Sequence, residues 1–272
     1  METTLLKGLK LLEILAARVE PAGVTALAGQ LGLVKSNVHR LLQALIAAGY
    51  VYRTPEGGRY ICSLRLWELG SRVGERFDVA RVARPHMAEL ARRTSETVNL
   101  SILDGGEVVY IDKIDSTLPV RADTRIGGRA PAYCSATGKA LLAFSPPEVI
   151  DAACTGMRSY TPRTVSGRAA LERDLKRIRS TGYAATQGEW REGVAGIAAP
   201  VLGPGGGLIA AVGLGGPIER LARSRVRQLA PLVIGTASAI ARSMGLRRNE
   251  AAMPMLLNTP GRRRVNAPPR AM

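Results

Sequence analysis

Apolar residues near the N-terminus recur at helical spacing on both sides of a glycine. A short helix is predicted there, with Thr25 as its N-cap and Gly32 as its break. A second helix is predicted from about Lys35 to Ala48. Its apolar positions follow the i, i+3, i+4, i+7 rule and therefore share one face: Val38, Leu41, Leu42 and Leu45. Two short helices joined by a glycine turn predict a helix-turn-helix.

The opposite face of the second helix carries hydrogen-bonding and cationic side chains. These side-chain types read base edges and grip phosphates when a helix lies in a major groove. We therefore expect the two helices to contact DNA through Thr25, Lys35, Ser36, Asn37, His39, Arg40 and Gln43. The helical pattern alone also fits any small helical hairpin rich in leucine and alanine.

The segment that follows favours the DNA-binding interpretation. Two short β-prone runs, at residues 50–53 and 59–61, surround the turn sequence PEGG at 55–58. A hairpin directly after a recognition helix is the wing of a winged helix. Arg53 and Arg59 on this wing are expected to lie near phosphates or a minor groove.

Helices are also predicted on either side of the winged helix. The first covers residues 5–17, with Thr3 or Thr4 as its N-cap. Its expected buried stripe is Leu5, Leu9, Leu12 and Ala16. Residues 63–77 predict a linker helix that is apolar on more than one side, and it includes Trp67. This helix is expected to pack against a second copy of itself or of the DNA-binding domain, although an ordinary helix within one domain fits equally well.

Beyond residue 96 the period of the pattern changes from helical to alternating. Residues 97–102 and 108–111 predict a hairpin, and a further strand is expected at 118–122. Strands at 183–187, 194–201 and 208–214 are interspersed with helices at 78–94, 135–144, 147–154, 168–180 and 221–244. Pro85 is expected to kink or split the first of these helices. The pattern predicts an α+β domain with a mainly antiparallel sheet.

These elements divide the chain into four parts. The expected organisation is a winged helix-turn-helix domain at residues 1–62, a linker helix at 63–77, a second domain at 78–246 and a basic, disordered tail at 247–272. The net charge of +16 indicates a polyanionic partner, nucleic acid before membrane. Three widely spaced cysteines suit reduced thiols in a cytoplasm, and no apolar run predicts a membrane span.

The residues give no support for catalysis. Only two histidines occur, and no His-x-Glu, Cys-x-x-Cys or Gly-x-Ser-x-Gly arrangement appears. The glycine-rich stretches at 203–207 and 213–216 lack the features of a phosphate-binding loop and fit a hairpin turn and a strand end. We expect no catalytic residue, no metal and no cofactor.

A small-molecule sensor fits the second domain better. The sequence CSATGK at 134–139 begins a helix with small and hydroxyl residues, where backbone N–H groups favour an anion. Ser135 and Thr137 lie where a ligand carboxylate would meet those groups, and Arg121 and Arg125 are weaker candidates for an added charge. Ordinary capping of the helix by Ser135 explains the same pattern and stays open.

In the order of its motifs the chain resembles the IclR family of bacterial transcriptional regulators. The resemblance rests on LGLVKSNVHRLL at 31–42, AYCSATGKALL at 132–142, EWREGVAGIAAPV at 189–201 and GGP at 215–217. It implies an N-terminal winged helix-turn-helix, a linker helix and a C-terminal effector-binding domain with a GAF-like sheet. It also implies homodimers or homotetramers that bind palindromic operators in double-stranded DNA.

The same resemblance implies an effector pocket at defined positions of this chain. With the neighbouring residues, the expected lining is Leu100, Cys134, Ser135, Ala136, Thr137, Thr186, Gly196, Gly213 and Gly215. Family members that bind small carboxylic acids often carry an acidic residue, a cysteine and two serines at the last four positions, whereas this chain has Thr186 and three glycines. The loss of side-chain volume predicts a larger or less polar ligand, such as an aromatic acid.

Two other classes of function remain open at this point. One is a non-specific or architectural DNA-binding protein whose C-terminal domain only oligomerises. The other is an enzyme with an appended DNA-binding domain. The leading hypothesis is a ligand-responsive transcription factor of the bacterial cytoplasm, associated with the nucleoid and not with a membrane.

Overall fold

The computed structural model describes residues 3–55, 57–74, 78–203 and 205–247 of the chain. The chain divides into two compact units, Met1–Asp78 and Val79–Met272. The predicted basic tail beyond Arg247 and the last three residues of the predicted linker helix lie outside the described residues. No helix within the described ranges is both long and apolar enough to cross a bilayer.

The first unit is a winged helix-turn-helix. Its elements are α1 (Thr3–Ala16), α2 (Val24–Leu31), α3 (Lys35–Ala47), β1 (Val51–Arg53), β2 (Tyr60–Cys62) and α4 (Arg65–Gly74). β1 and β2 pair as an antiparallel hairpin, and Ala22 adds a bridge to Tyr60 at its edge. Helices α1, α2 and α3 pack around a core that contains Leu27, Val38 and Leu42, all of which are fully buried.

The turn between α2 and α3 forms as predicted, but the start of α2 does not. Gly32 ends α2 in the left-handed conformation with φ of 63°. At the other end the N-cap is Gly23, with an extended backbone, and Leu27 N donates to Gly23 O at 3.2 Å. Thr25 therefore lies inside the first turn and is not a cap. Glycine is itself a favoured N-cap, so the helix begins earlier than the threonine indicated.

The buried face of α1 also differs from the predicted stripe. Leu11 and Leu15 are buried, whereas Leu5 and Leu9 are 61% and 48% exposed. Leucines occur on two sides of this helix, and helical spacing alone does not say which side packs. Gly8 lies on the side that packs, since a Cβ there would lie at ordinary contact distance, 3.8 Å, from Leu41 of α3.

The second unit is built on one antiparallel sheet. Its strands are β3 (Thr97–Asp104), β4 (Glu107–Ile114), β5 (Arg129–Pro131), β6 (Ala184–Gln187), β7 (Val194–Leu202) and β8 (Leu208–Pro217). Their order in the sheet is β5-β4-β3-β8-β7-β6, and every pairing is antiparallel. The helices are α5 (Asp78–Thr94), α6 (Ala136–Leu142), α7 (Pro147–Cys154), α8 (Arg168–Thr181) and α9 (Arg223–Arg247), with a 3-10 turn at Ala132–Cys134.

Side-chain alternation along the strands gives the sheet two different faces. On β3, Val98 and Leu100 belong to the core cluster with α5 and α9, while Thr97, Asn99 and Ser101 are buried polar residues at the alternate positions. The second core cluster joins α6, α7 and α8 to alanines of the strands. We call these the α9 face and the α6 face of the sheet.

Two expectations about this unit require correction, and one strand was not predicted. Residues 118–122 form no strand, and Ala122 O instead accepts a hydrogen bond from the Thr97 hydroxyl at 3.5 Å. Side-chain contacts rather than ladder hydrogen bonds hold this segment. The strand of this region is β5, which the pattern missed because it is only three residues long. α5 runs through Pro85 as one element and is not split.

Candidate functional site

Helix α3 presents the polar face that its periodicity predicted. Val38, Leu41 and Leu42 are buried against α1 and α2. The exposed residues on the rest of the helix are Lys35, Ser36, His39, Arg40 and Gln43, with Asn37 half-buried. His39 Nε2 lies 3.4 Å from Gln43 Nε2, one turn further along. The arrangement can offer several donors and cations to a groove while the apolar side keeps the helix seated.

The wing carries two of the predicted phosphate contacts. Arg53 and Arg59 are both exposed, at the end of β1 and just before β2. The Arg53 guanidinium lies over Gly58, whose φ of 58° favours glycine and whose missing side chain leaves room for it. Thr54 N donates to Arg59 O at 2.7 Å and closes the hairpin. Both guanidinium groups are thus presented by one tight turn.

The second unit contains a cavity on the α6 face, which we call the sheet cleft. Its volume is about 80 Å³. It lies where β3, β7 and β8 pass the start of α6. Its walls are Asn99, Tyr110, Ala122, Asp123, Thr124, Cys134, Ser135, Ala136, Thr137, Thr186, Trp190, Arg191, Val194, Ala195, Gly196, Leu214 and Gly215.

Most of the positions expected to line a pocket do meet here. They come from the start of α6, from β6 and from the facing strands: Cys134, Ser135, Ala136, Thr137, Thr186, Gly196 and Gly215. Ser135 has a capping role, because its Oγ accepts a hydrogen bond from Gly138 N at 3.3 Å. Thr137, one helical position inside α6, is left to face the cleft.

Two expected residues lie elsewhere. Leu100 is fully buried in the core of the α9 face. The polar neighbour Asn99 takes its place in the cleft, because successive residues of a strand point to opposite faces. Gly213 does not line the cleft, because a Cβ there would lie 2.7 Å from Ala198 Cβ and from Ile197 O. Its small size serves the contact between β7 and β8.

The cleft also contains residues that the sequence did not single out. The main ones are Asn99, Tyr110, Asp123, Thr124, Trp190 and Arg191. Neither Arg121 nor Arg125 lines the cavity, and its cation is Arg191. The polar residues at alternate positions of β3 were a readable signal, because buried polar side chains on one face of a strand need partners there.

Hydrogen bonds and burial fix the protonation states in the cleft. Asn99 Oδ1 accepts from the Thr124 hydroxyl at 2.7 Å, so its amide nitrogen is the end left to donate. Burial raises the pKa of Tyr110 to about 12, against the opposing charge of Arg191 and a hydrogen bond with Thr137. Burial, reinforced by the charge of Glu189, raises the pKa of Cys134 to about 12. The phenol and the thiol are therefore neutral near pH 7, and Cys134 is a poor nucleophile.

A buried charge cluster lies on the same face. Lys139 is 1% exposed, and its Nζ lies 2.6 Å from both Asp174 Oδ2 and Glu189 Oε2. Burial raises the pKa of Glu189 despite the charge of Lys139. Burial also acts to raise the pKa of Asp174, but the hydrogen bond and charge of Lys139 bring it below its ordinary value. The spacing of these three residues does not predict the cluster, because Lys139 is distant from both acids along the chain.

The space beside the glycines of the cleft is narrower than their size alone indicates. A Cβ at Gly215 would lie 3.3 Å from Ala122 Cβ, and one at Gly196 would lie 3.1 Å from Ala136 Cβ. Alanines thus occupy part of the room that the missing side chains leave. Within the described residues, no cluster of three or more acidic, histidine or cysteine side chains is arranged to hold a metal ion.

Comparison with known protein families matches both units. The family described as "IclR helix-turn-helix domain" matches residues 4–55, and the one described as "Bacterial transcriptional regulator IclR C-terminal" matches residues 72–242. The second match alone spans more than half of the chain. It contains every residue of the sheet cleft.

Individual relatives agree along nearly the whole chain. The HTH-type transcriptional regulator KdgR of Escherichia coli K12 is 35% identical over 245 residues, which are 89% of this chain and 93% of the relative. The crystal structure of Thermotoga maritima IclR matches with a TM-score of 0.75 and 28% identity, covering 90% of this chain and all of that one. An IclR homolog from Microbacterium hydrocarbonoxydans, solved in complex with 4-hydroxybenzoate, matches with a TM-score of 0.76 and 26% identity, over 89% and 98% of the two chains.

Proposed function

The chain belongs to the IclR family of bacterial transcriptional regulators, and we propose that it binds a palindromic operator in a manner controlled by a small organic anion in the sheet cleft. Its relatives are transcriptional regulators and not enzymes. In this proposal the first unit binds DNA in the bacterial cytoplasm. The second unit senses the ligand.

The observation that carries the proposal is the division of α3 into a buried and an exposed side. Val38 and Leu42 are fully buried, and this fixes which side of the helix faces outward. The outward side offers Ser36, Arg40 and Gln43, which can bond base edges in a major groove. Base contacts from this face would give sequence specificity, while Arg53 and Arg59 on the wing would hold phosphates.

The chemistry of the sheet cleft favours an anionic ligand. Arg191 supplies a positive charge and can bind a carboxylate through two parallel hydrogen bonds. The neutral Tyr110 hydroxyl and the Asn99 amide nitrogen can donate to the same ligand. Asp123, which also lines the cleft, suits a hydroxyl or amine elsewhere on the molecule. We infer that the ligand is an organic acid with a second polar group.

The size of the cleft favours a small acid. Its volume of about 80 Å³ is below the ~150 Å³ of a cavity that holds benzene. An aromatic acid is the second candidate, because Trp190 and Tyr110 line the cleft and the Microbacterium homolog binds 4-hydroxybenzoate. Binding of an aromatic acid would require the cleft to widen, and its lining includes two exposed residues, Asp123 and Arg191, whose segments could move to allow it.

Assembly into a homodimer is proposed from exposed apolar residues of the first unit. On and next to α4, Leu64 and Trp67 are 77% and 71% exposed, and on α1 Leu5 is 61% exposed. Large apolar side chains at this exposure mark contact surfaces when they occur together on one element. We infer that residues 63–77 act as the linker and contribute to the dimer contact, and that two winged helices then read two half-sites.

Footprinting tests the DNA-binding part of the proposal. The full chain is titrated onto the DNA that flanks its own gene, at low and moderate salt. A discrete protected palindrome that persists as salt rises is expected for specific binding. Uniform coverage that disappears with salt would contradict the proposal and favour a non-specific architectural protein.

A thermal-shift panel tests the ligand class. Aliphatic acids of two to four carbons are compared with benzoates and with the corresponding amides. A ligand that binds the native state raises the melting temperature, and the stabilisation grows with the logarithm of its concentration relative to Kd. We expect stabilisation by acids and not by amides, with the aliphatic set ahead. Stabilisation by neutral amides at equal strength would exclude an anion site.

A further inference from the structure

A second cavity of the same unit, the edge groove, opens at the free edge of the sheet. It is shaped by α8 on one side and by the start of α9 on the other, with β6 as its floor. Its volume is about 1,120 Å³, far larger than that of the sheet cleft. Its lining residues are Arg163, Asp174, Arg177, Tyr183, Ala185, Gln187, Glu189, Arg223, Val226 and Arg227.

The floor of the groove presents an unpaired strand edge. Within the part of the chain that the structure describes, β6 is the last strand of the sheet and pairs with β7 alone. Gly188 N donates to Val194 O at 2.8 Å, in register with the β6–β7 ladder. Because antiparallel residues alternate between facing the partner and facing away, Ala185 and Gln187 direct their backbone N–H and C=O groups outward. These are the same two strand residues that line the groove.

The walls of the groove are strongly basic. Arg163 and Arg177 lie on one side, and Arg223 and Arg227 lie on the first turns of α9. The two carboxylates of the lining, Asp174 and Glu189, both point to the buried Lys139 at 2.6 Å. Apart from the pairing of Arg177 with Asp174 at 3.2 Å, no salt bridge joins the arginines of the groove to an acid within the described residues.

We propose that the edge groove binds an extended acidic peptide segment of a partner protein, which adds a strand to β6. The outward N–H and C=O groups of β6 supply the main-chain hydrogen bonds of strand addition. Successive side chains of the added strand point to opposite walls, and arginines on both walls can pair with acidic ones. The chain's own residues 248–272 do not fit, because they carry arginines at 262–264 and a single acid at 250.

A free small anion fits the groove less well than a peptide. A phosphate or citrate would contact one or two arginines and leave the strand edge unused. The occupant is therefore recognised by its backbone as well as by its charge.

The binding experiment uses the full chain and a fluorescein-labelled, blocked octapeptide of alternating glutamate and threonine. Fluorescence anisotropy should show saturable binding that weakens with salt, and a lysine–threonine peptide of equal length should not bind. The double variant Arg223→Glu, Arg227→Glu should weaken binding by more than about tenfold. Arg225→Glu is the matched control on the same turn, since Arg225 is exposed, lies outside the groove lining and pairs with Gln228. Equal loss in the control would contradict the groove.

The strand-addition step is tested by removing a backbone donor. Ala185→Pro deletes an outward N–H on an edge strand, a position where proline is tolerated. We expect loss of peptide binding with an unchanged melting temperature. A peptide that is N-methylated at alternate residues, tested on the unaltered chain, should also fail to bind. The proposal is wrong if Ala185→Pro binds the original peptide, or if the unaltered chain binds the N-methylated peptide, as tightly as the original pair bind. It is also wrong if citrate competes with the peptide at equal concentration, because the groove is then a simple anion site.

Discussion

The two faces of the six-stranded sheet are built from the same strands and serve different purposes. On the α9 face, Leu100, Val212 and Val233 are fully buried in a continuous apolar core. On the α6 face the neighbouring positions are Asn99, Ser101 and the glycines and alanines of β7 and β8, and a cavity remains. Both faces carry an apolar core cluster, and the α6 face also leaves a cavity lined by hydrogen-bonding groups, where we propose that a ligand binds.

This difference shows how one element can satisfy two demands at once. Alternation along a strand lets a bulky residue seal one side while its neighbour stays polar on the other. The α6 face keeps an apolar cluster against α6, α7 and α8, and it also contains the cavity and the buried ion pairs of Lys139. Substitutions at adjacent positions should therefore have opposite consequences on the two faces.

The largest effect is expected from adjacent residues of β3. Leu100→Ala should lower the free energy of unfolding of the second unit by about 3–4 kcal/mol, because it leaves a cavity in the α9 face. Ser101→Ala should be neutral or slightly stabilising, because the buried Ser101 Oγ has no hydrogen-bond partner among the described residues. Urea unfolding of the two variants measures the contrast. Similar losses in both would contradict the division between faces.

Removal of the buried cation should be nearly as costly. Lys139→Met leaves Asp174 and Glu189 without their shared partner, for an expected loss of about 3 kcal/mol. Lys176→Met, on the exposed side of α8, is the control and should change stability by less than about 0.5 kcal/mol.

The same variant has a defined pH dependence. Without Lys139 the charged form of Glu189 is disfavoured, so its folded pKa lies above its unfolded value. The pKa of Glu189 is already raised by burial when Lys139 is present. A group of this kind contributes stability below its unfolded pKa and loses it as pH rises through the folded pKa. The deficit of Lys139→Met should therefore shrink as the pH is lowered from 7, and a deficit independent of pH would exclude this cause.

The sequence predicted the elements of the sheet better than the residues of its cleft. Strand patterns on β7 and β8 and the helical stripe of α9 rest on local periodicity, which the chain shows directly. The lining of the cleft depends on which alternate residues of β3 face α6. The prediction was wrong by one residue, because Asn99 lines the cleft and Leu100 faces the other side of the sheet. Tyr110 and Arg191 reach the same cavity from distant segments, and no spacing along the chain brings them together.

The next prediction concerns the ligand that we propose for the α6 face. Arg191→Ala should weaken binding of an acid found in the thermal-shift panel by about 1.5–3 kcal/mol, because a charged hydrogen-bond partner is lost. Arg121→Ala is the control, since Arg121 does not line the cleft. Isothermal titration calorimetry measures both. A larger loss in Arg121→Ala would mean that the cation paired with the ligand is Arg121, as the sequence first indicated, and not Arg191.

Helix α3 likewise has one side that is buried in the core and one side that is exposed. Arg40→Ala, on the exposed side, should cost about 1–3 kcal/mol on the operator and less on random DNA if Arg40 contacts a base. Arg53→Ala on the wing should reduce the salt dependence of binding on both DNAs. Gel-shift titrations at several salt concentrations measure these changes. Equal losses on operator and random DNA would mean that Arg40 only holds a phosphate.

Coupling between the sheet cleft and operator binding is tested most directly with Gly215→Leu. Its side chain would enter the cleft beside Ala122, where a Cβ already lies at 3.3 Å, and should exclude the ligand. With the acid identified by thermal shift, operator affinity is measured with and without that acid for both proteins. Because the contact with Ala122 is already tight, the melting temperature should fall, but the account predicts that Gly215→Leu still binds the operator within about twofold of the unaltered chain, with no response to the acid. A response of unchanged size and midpoint would place the effector site outside the sheet cleft.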